Sequence, residues 1–453
     1  MKTRKIAIIG AGSATFSAGL VRDLCVTPSL HGSKVTFMDI HEDRLVFILT
    51  LAKKLAKELG AELEFESTLD REAALEGADY VLNTAQDQCH EWYEAQRELS
   101  VKHGYYRGAA LGALAQMAFL WEIARDVERI CPNAWLLQSS NPVFEGCTLM
   151  TRATKAKVIG LCHGHYGYKE IVKALRLEPE HVKARSTGFN HWIWLTEFRY
   201  KGEDAYPLID RWIEEKSEDY WKLERGYGDQ QMSRAAIDMY KTFGLMPVGD
   251  MARVCDNYRQ FGWWYHDSLE TKKRYYGHQG GFDSEIGWGL YLEGLNKNLE
   301  KIRQAATDPQ AKVSEFFPPK QSPEQIVPII ESLEFDIERK YQVNIPNKGH
   351  ILDKFPEDLV VECEALIDSA GLHPIKSDPL PSRLIAGAMN PRFTDAELMV
   401  EAVRTGSFEA YKLLMLSDHK TKSVEQVVAM LEEWIADPRN GRIRDAVNGI
   451  HNF

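Results

Sequence analysis

The chain has no long apolar run. Nothing in it approaches the roughly 18 consecutive apolar residues that a membrane-crossing helix needs, so no membrane partner is expected. A surplus of positive charge is also missing. The net charge is −11, which argues against nucleic acid or an anionic membrane as the main partner. There is no disulfide framework. The seven cysteines (25, 89, 131, 147, 162, 255 and 363) are odd in number and scattered, as reduced thiols are, and a cytoplasmic location is expected. The basic start Met1-Lys2-Thr3-Arg4-Lys5 leads into only four apolar residues before glycine, so no secretory signal is expected. Repeats, low-complexity linkers and long charge runs are absent as well. What is there is ordinary for a soluble globular protein: 453 residues, 44% hydrophobic and 27% charged, enough for two domains.

In the first part of the chain, strand and helix signals alternate. Lys5-Ile6-Ala7-Ile8-Ile9 is a short apolar run, and Gly10-Ala11-Gly12-Ser13 follows at once. A helix is predicted over 15–27, with Phe16, Leu20, Val21 and Leu24 on one stripe, and Pro28 stops it. Lys34 to Met38 is a second strand, ending at Asp39; Glu42 to Leu59 is an amphipathic helix closed by Gly60. Strands follow at Tyr80-Val81-Leu82-Asn83, Ala134 to Gln138 and Lys157 to Leu161, with a long helix over 112–131. This alternation predicts an α/β fold, a Rossmann-type doubly wound parallel sheet over residues 1–192. Residues 193–453 mix the two signals, with strands near 341–345 and 358–363 and long helices over 395–416 and 423–436. They are expected to form a mixed α+β substrate and catalytic domain.

Two loops carry the chemistry. The first is Gly10-x-Gly12, between a strand and a helix. Glycines let the backbone approach a pyrophosphate, and a helix N-terminus offers oriented N–H groups. Asp39 ends the next strand, where it can accept from a ribose hydroxyl and repel a 2′-phosphate, so NAD is favoured over NADP. The third fingerprint glycine is replaced by Thr15. Asn83, at the end of a central strand, is a candidate polar contact to the nicotinamide half. The second loop is Cys162-His163-Gly164-His165, again at a strand end, with Asn190-His191 after another. Sulfur and imidazole beside flexible backbone suit a transition metal. One cysteine and one histidine do not by themselves specify one.

The order and spacing of Gly10-Ala11-Gly12-Ser13, Asn141-Pro142, Cys162-His163 and Gly188-Phe189-Asn190-His191 resemble glycoside hydrolase family 4, the NAD- and metal-dependent glycosidases. The likeness continues through Gly249-Asp250-x-x-Arg253, Asn344-Ile345-Pro346-Asn347-Lys348-Gly349 and Gly371-Leu372-His373-Pro374. The resemblance implies that Cys162 and His191 bind Mn²⁺ or a similar divalent ion. It implies that Gly10, Gly12, Ser13 and Asp39 hold NAD, and that Asn141 contacts the sugar near the metal. The implied reaction is redox-assisted elimination: oxidation at C3, metal-assisted loss of the C2 proton, departure of the C1 group, water addition and re-reduction. Asp250 is the expected base; a helix N-cap or an ion pair with Arg253 is its structural alternative, and Tyr240 and Tyr258 are further candidates. His163 is expected to serve as acid or substrate contact.

The histidines after the cysteine resemble those of uronidase-type members, so an α-galacturonide is the favoured substrate. An α-glucuronide or a neutral α-glucoside or α-galactoside is the alternative. A sugar carboxylate wants charge-assisted donors, for which His165, Arg107, Arg253 and Lys348 are the candidates. After Arg107-Gly108, relatives carry an acid where this chain has Ala109-Ala110. The family further suggests a homodimer or homotetramer. The rival class is a 2-hydroxy acid dehydrogenase, which shares the sheet but not the Cys162/His191 pair.

Overall fold

In the computed structural model, residues 3–223, 231–253 and 263–447 are described. Thirteen strands form one sheet. They are β1 (Lys5–Ile9), β2 (Lys34–Met38), β3 (Glu64–Thr68), β4 (Tyr80–Asn83), β5 (Trp135–Gln138), β6 (Lys157–Gly160), β7 (Val182–Phe189), β8 (Trp192–Tyr200), β9 (Glu203–Asp204), β10 (Met246–Val248), β11 (Arg339–Pro346), β12 (Val360–Asp368) and β13 (Gly371–Pro374). The first six run parallel in the order β3-β2-β1-β4-β5-β6. This is the strand order of a dinucleotide-binding sheet, reversing direction between β1 and β4. Both faces are covered. Ile6 and Ile8 pack with Leu24 and Leu51 on one side; Ala7 and Ile9 pack with Leu120 and Ile123 on the other. Continuous apolar strands are what such two-sided burial requires.

The sheet does not stop at residue 192. Beyond β6 come β11, β12, β7, β8 and β10, each antiparallel to its neighbour. Two of these junctions rest on a single residue pair, Asn344 with Gly160 and Glu362 with Gly188. Glycine at each junction is a steric need. A Cβ at Gly160 would lie 2.7 Å from Cys147 Sγ and 2.8 Å from Asn344 Cβ, and one at Gly188 would lie 2.2 Å from the Trp192 carbonyl. The β7–β8 hairpin packs on the start of the helix Val143–Ala153. There Phe189 stacks on Phe144 at 4.5 Å.

Element boundaries follow local chemistry. The first helix begins at Ser17, later than predicted, because Ser13 Oγ accepts from the N–H groups of Thr15 and Phe16 and holds a turn there. The helix Glu42–Leu59 ends as expected, at Gly60 in the left-handed region (φ 65°). The segment predicted as one helix over 395–416 is two, Asn390–Thr405 and Phe408–Leu416, parted by Gly406 at φ 58°. Among the described residues, no helix is long and apolar enough to cross a membrane.

Candidate active site

The glycine turn after β1 is built to admit little else. Gly10 sits at φ 83°, and a Cβ there would come within 2.6 Å of the Ala85 backbone. The Gly12 N–H donates to Asp39 Oδ2 at 2.8 Å, and the His41 N–H donates to Oδ1 at 3.0 Å. Asp39 thus ties the end of β2 to the turn. The bare backbone and the carboxylate fit a pyrophosphate and a ribose hydroxyl respectively. Asn83 is fully buried at the end of β4; its Nδ2 donates to Gln138 Oε1 at 2.8 Å, and its Oδ1 accepts the Ala85 N–H at 3.1 Å. Its amide ties the end of β4 to β5. Asn141 stands exposed after β5, before a cis bond to Pro142, between the strand ends that carry Asn83 and Cys162.

Cys162, His191 and Asp250 converge. One ligand atom from each lies within 4.8 Å of the others. Backbone packing brings them together. Gly249, at φ 82°, leaves room for Gly164, whose carbonyl would lie 2.7 Å from a Cβ there. Gln231 clamps the contact, accepting the Gly249 N–H at 2.8 Å and donating to the Pro247 carbonyl at 2.7 Å. Asp250, opening the helix Asp250–Arg253, therefore faces the Cys162 loop. His191 is the second residue of a two-residue turn between β7 and β8 and occupies the left-handed region at φ 64°. Its Nε2 lies 2.8 Å from Asp250 Oδ2. Burial opposes a charge on this ring, yet the Asp250 carboxylate and the Cys162 sulfur overcome it and raise the pKa well above 6.5. Coordination at Nε2 requires that proton to leave. A thiolate, an imidazole and a carboxylate so arranged fit a divalent first-row metal.

Around this centre the expected residues divide. His163 is exposed, with Nδ1 3.3 Å from Glu324 Oε1, and that hydrogen bond raises its pKa to about 9. Tyr166 donates to the Pro323 carbonyl at 2.7 Å, so the proline-rich segment ending at 323 docks on the metal loop. Nothing in the sequence marked Glu324. His165 sits in the same loop. It is 9% exposed, and burial pushes its pKa down to about 3. Its Nδ1 has no hydrogen-bond partner among the described residues. Arg107 is buried, donating from Nε to the Asp283 carbonyl at 2.9 Å, with Glu94 3.7 Å from Nη1. Ala109 and Ala110 are buried in the helical core beside Leu111 and Trp434, so the loop presents no acid. Lys348 is exposed. It lies in a turn built by Asn347, whose Nδ2 donates to the carbonyls of Leu352 and Phe355. Asp358, in the same loop, ion-pairs with Arg152 at the far end of the helix Val143–Ala153, away from Cys162. Tyr240 is tied to Asp210 by a 2.8 Å hydrogen bond. The Arg253 side chain and Tyr258 lie outside the described residues.

The neutral His165 has a measurable consequence. Its folded pKa is about 3 against about 6.5 unfolded. Between those values the unfolded chain binds a proton that the folded chain refuses, so stability falls as pH drops below about 6.5. Near pH 5 the loss is roughly 2 kcal/mol. Urea midpoints near pH 7.5 and pH 5 should differ clearly less in His165→Gln than in the parent; equal differences would show that the ring does not carry the effect.

A glycine turn after β1 and three side chains able to hold a metal ion gather around one sheet with the strand order of a Rossmann fold. Sequence models of the family 4 glycosyl hydrolases and of their C-terminal domain match residues 5–178 and 186–421, and the chain belongs to this family of NAD- and divalent-metal-dependent glycosidases. It is 27% identical over 457 residues to an α-galactosidase of Bacillus subtilis, covering 96% of this chain and 98% of that one. It is 22% identical over 426 residues to an α-galacturonidase of Lachnoclostridium phytofermentans, covering 88% of each. A 6-phospho-α-glucosidase from gut microorganisms, solved with NAD and Mn²⁺, superimposes with a TM-score of 0.77 at 17% identity, over 96% of this chain and 98% of that one.

Proposed function

We propose that this glycosidase cleaves α-hexuronides, α-galacturonides foremost, at the Cys162–His191–Asp250 cluster. The observation that carries the reading is the convergence of those three donors on a sheet whose parallel half is built for a dinucleotide. Bound there, NAD supplies reversible hydride transfer and the divalent ion supplies Lewis-acid polarisation. Cys162 and His191 hold the ion. Asn141 orients the sugar hydroxyls beside it. Asp250, in the same cluster, would take the C2 proton. His163, held by Glu324 and reaching solvent, contacts the substrate and serves the leaving group. The uronide preference rests on three observations. Ala109 and Ala110 leave the neighbouring loop without a carboxylate to repel an acidic sugar, His163 beside the metal loop is drawn toward its charged form, and an α-galacturonidase is among the relatives.

The test is hydrolysis of p-nitrophenyl α-galacturonide, α-glucuronide, α-galactoside and α-glucoside with NAD⁺, Mn²⁺ and a reductant. Cleavage of a uronide in preference to both neutral sugars is the expected result. Preference for a neutral glycoside sinks the substrate assignment and leaves the family intact. Net NADH from a 2-hydroxy acid would point to a dehydrogenase instead.

A further inference from the structure

We infer that Glu362 is a positioning residue for the metal site, acting through Asn190 to fix the turn that presents His191. The inference rests on the reading of His191 as a metal ligand. Glu362 lies in the middle of β12 and is 1% exposed. An apolar residue would serve a central strand better, because exchanging buried charged groups for well-packed apolar ones is often neutral or stabilising. The carboxylate must therefore be held by its partners. Oε2 accepts from Asn190 Nδ2 at 3.0 Å, and Oε1 lies 3.5 Å from Gln342 Nε2. The Glu362 carbonyl accepts from Thr187 Oγ1 at 3.0 Å, and its backbone pairs with Gly188. One residue thus anchors both the strand that enters the hairpin and the turn that closes it.

That turn needs anchoring. It has only two residues, Asn190 and His191, between the paired Phe189 and Trp192. His191 is held at φ 64°, a conformation that residues with a Cβ adopt only when their surroundings impose it. Asn190 is 3% exposed, and its amide points down to Glu362 while its neighbour's ring points to Cys162 and Asp250. Releasing Asn190 frees the peptide that sets the direction of the His191 side chain. The expected signature is a weaker metal site in a protein that still folds and still binds NAD⁺, since five strands lie between β7 and β1, which carries the glycine turn.

The measurement is the Mn²⁺ dissociation constant of the full-length protein in the presence of NAD⁺, read from the electron paramagnetic resonance signal of free Mn²⁺, with a thermal midpoint for each variant. Glu362→Leu and Asn190→Ala should each weaken Mn²⁺ binding by about 10- to 100-fold, as loss of outer partners does at metal sites. The double variant should be no weaker than the worse single one. Glu362→Gln keeps an acceptor for Asn190 and should recover most of the affinity. A lowered thermal midpoint with Mn²⁺ affinity unchanged to within about twofold would mean a merely structural role and overturn the inference. Should Glu362→Leu fail to fold, unchanged Mn²⁺ binding in Asn190→Ala overturns it equally. Failure of the ligand reading looks different: Cys162→Ser or His191→Ala would then bind Mn²⁺ as tightly as the parent.

Discussion

Cys162→Ser should abolish glycoside cleavage while leaving a folded protein that binds NAD⁺. Serine keeps the size of the side chain but is not deprotonated at neutral pH, so the site loses an anionic donor from a set of three. A Lewis acid in such a reaction is worth several kcal/mol of transition-state stabilisation. At about 1.4 kcal/mol per decade, that is a loss of roughly 10³-fold or more in kcat/KM. The glycine turn and Asp39 do not touch Cys162, so NAD⁺ affinity should be unchanged. Retention of full, metal-dependent activity would remove the ground for a metal at this loop. Loss of NAD⁺ binding together with activity would indicate general unfolding instead.

Asp250→Asn carries the second large effect. The substitution preserves shape, so the packing of Gly249 on Gly164 should survive. It removes the only group proposed to take the C2 proton, and loss of a positioned general base costs about 10²- to 10⁴-fold. The fall should appear in kcat. In the parent, deuterium at C2 should slow the reaction. Asp250 also stands among the three metal donors, 2.8 Å from the His191 ring. Mn²⁺ binding separates the two roles. A base leaves Mn²⁺ affinity within about tenfold of the parent, whereas a ligand loses affinity along with rate. Parent-like kcat in Asp250→Asn would end its candidacy.

The parallel half of the fold was legible because its signals are local. A short apolar run, a glycine turn and a helix stripe each sit within a dozen residues, and the strands of the parallel sheet follow from them; their order is seen in the structure. The wedge of β11 and β12 between β6 and β7 was not legible. It depends on pairing across more than 150 residues of chain, which no run of apolar residues announces. The site shows the same division. Cys162, His191 and Asp250 end strands or follow glycines, and the structure gathers them. Glu324 and Glu362 are single acids in a loop and a strand, and only their partners give them meaning. Asn347-Lys348-Gly349 has the look of a binding loop, and the structure shows its asparagine spent on carbonyls of its own turn.

The single-pair junctions at Gly160 and Gly188 also order events in time. Cys162 and the His191 hairpin leave the ribosome early and close together. Yet the strands that hold the hairpin against β6 come from residues 339–368, near the end of synthesis. Until that late segment threads between them, the hairpin has no floor and β6 is a bare edge open to another chain. Catalytic competence is therefore expected to come last, and a chain cut short after its parallel half would carry Cys162 and His191 without the strands that brace the hairpin.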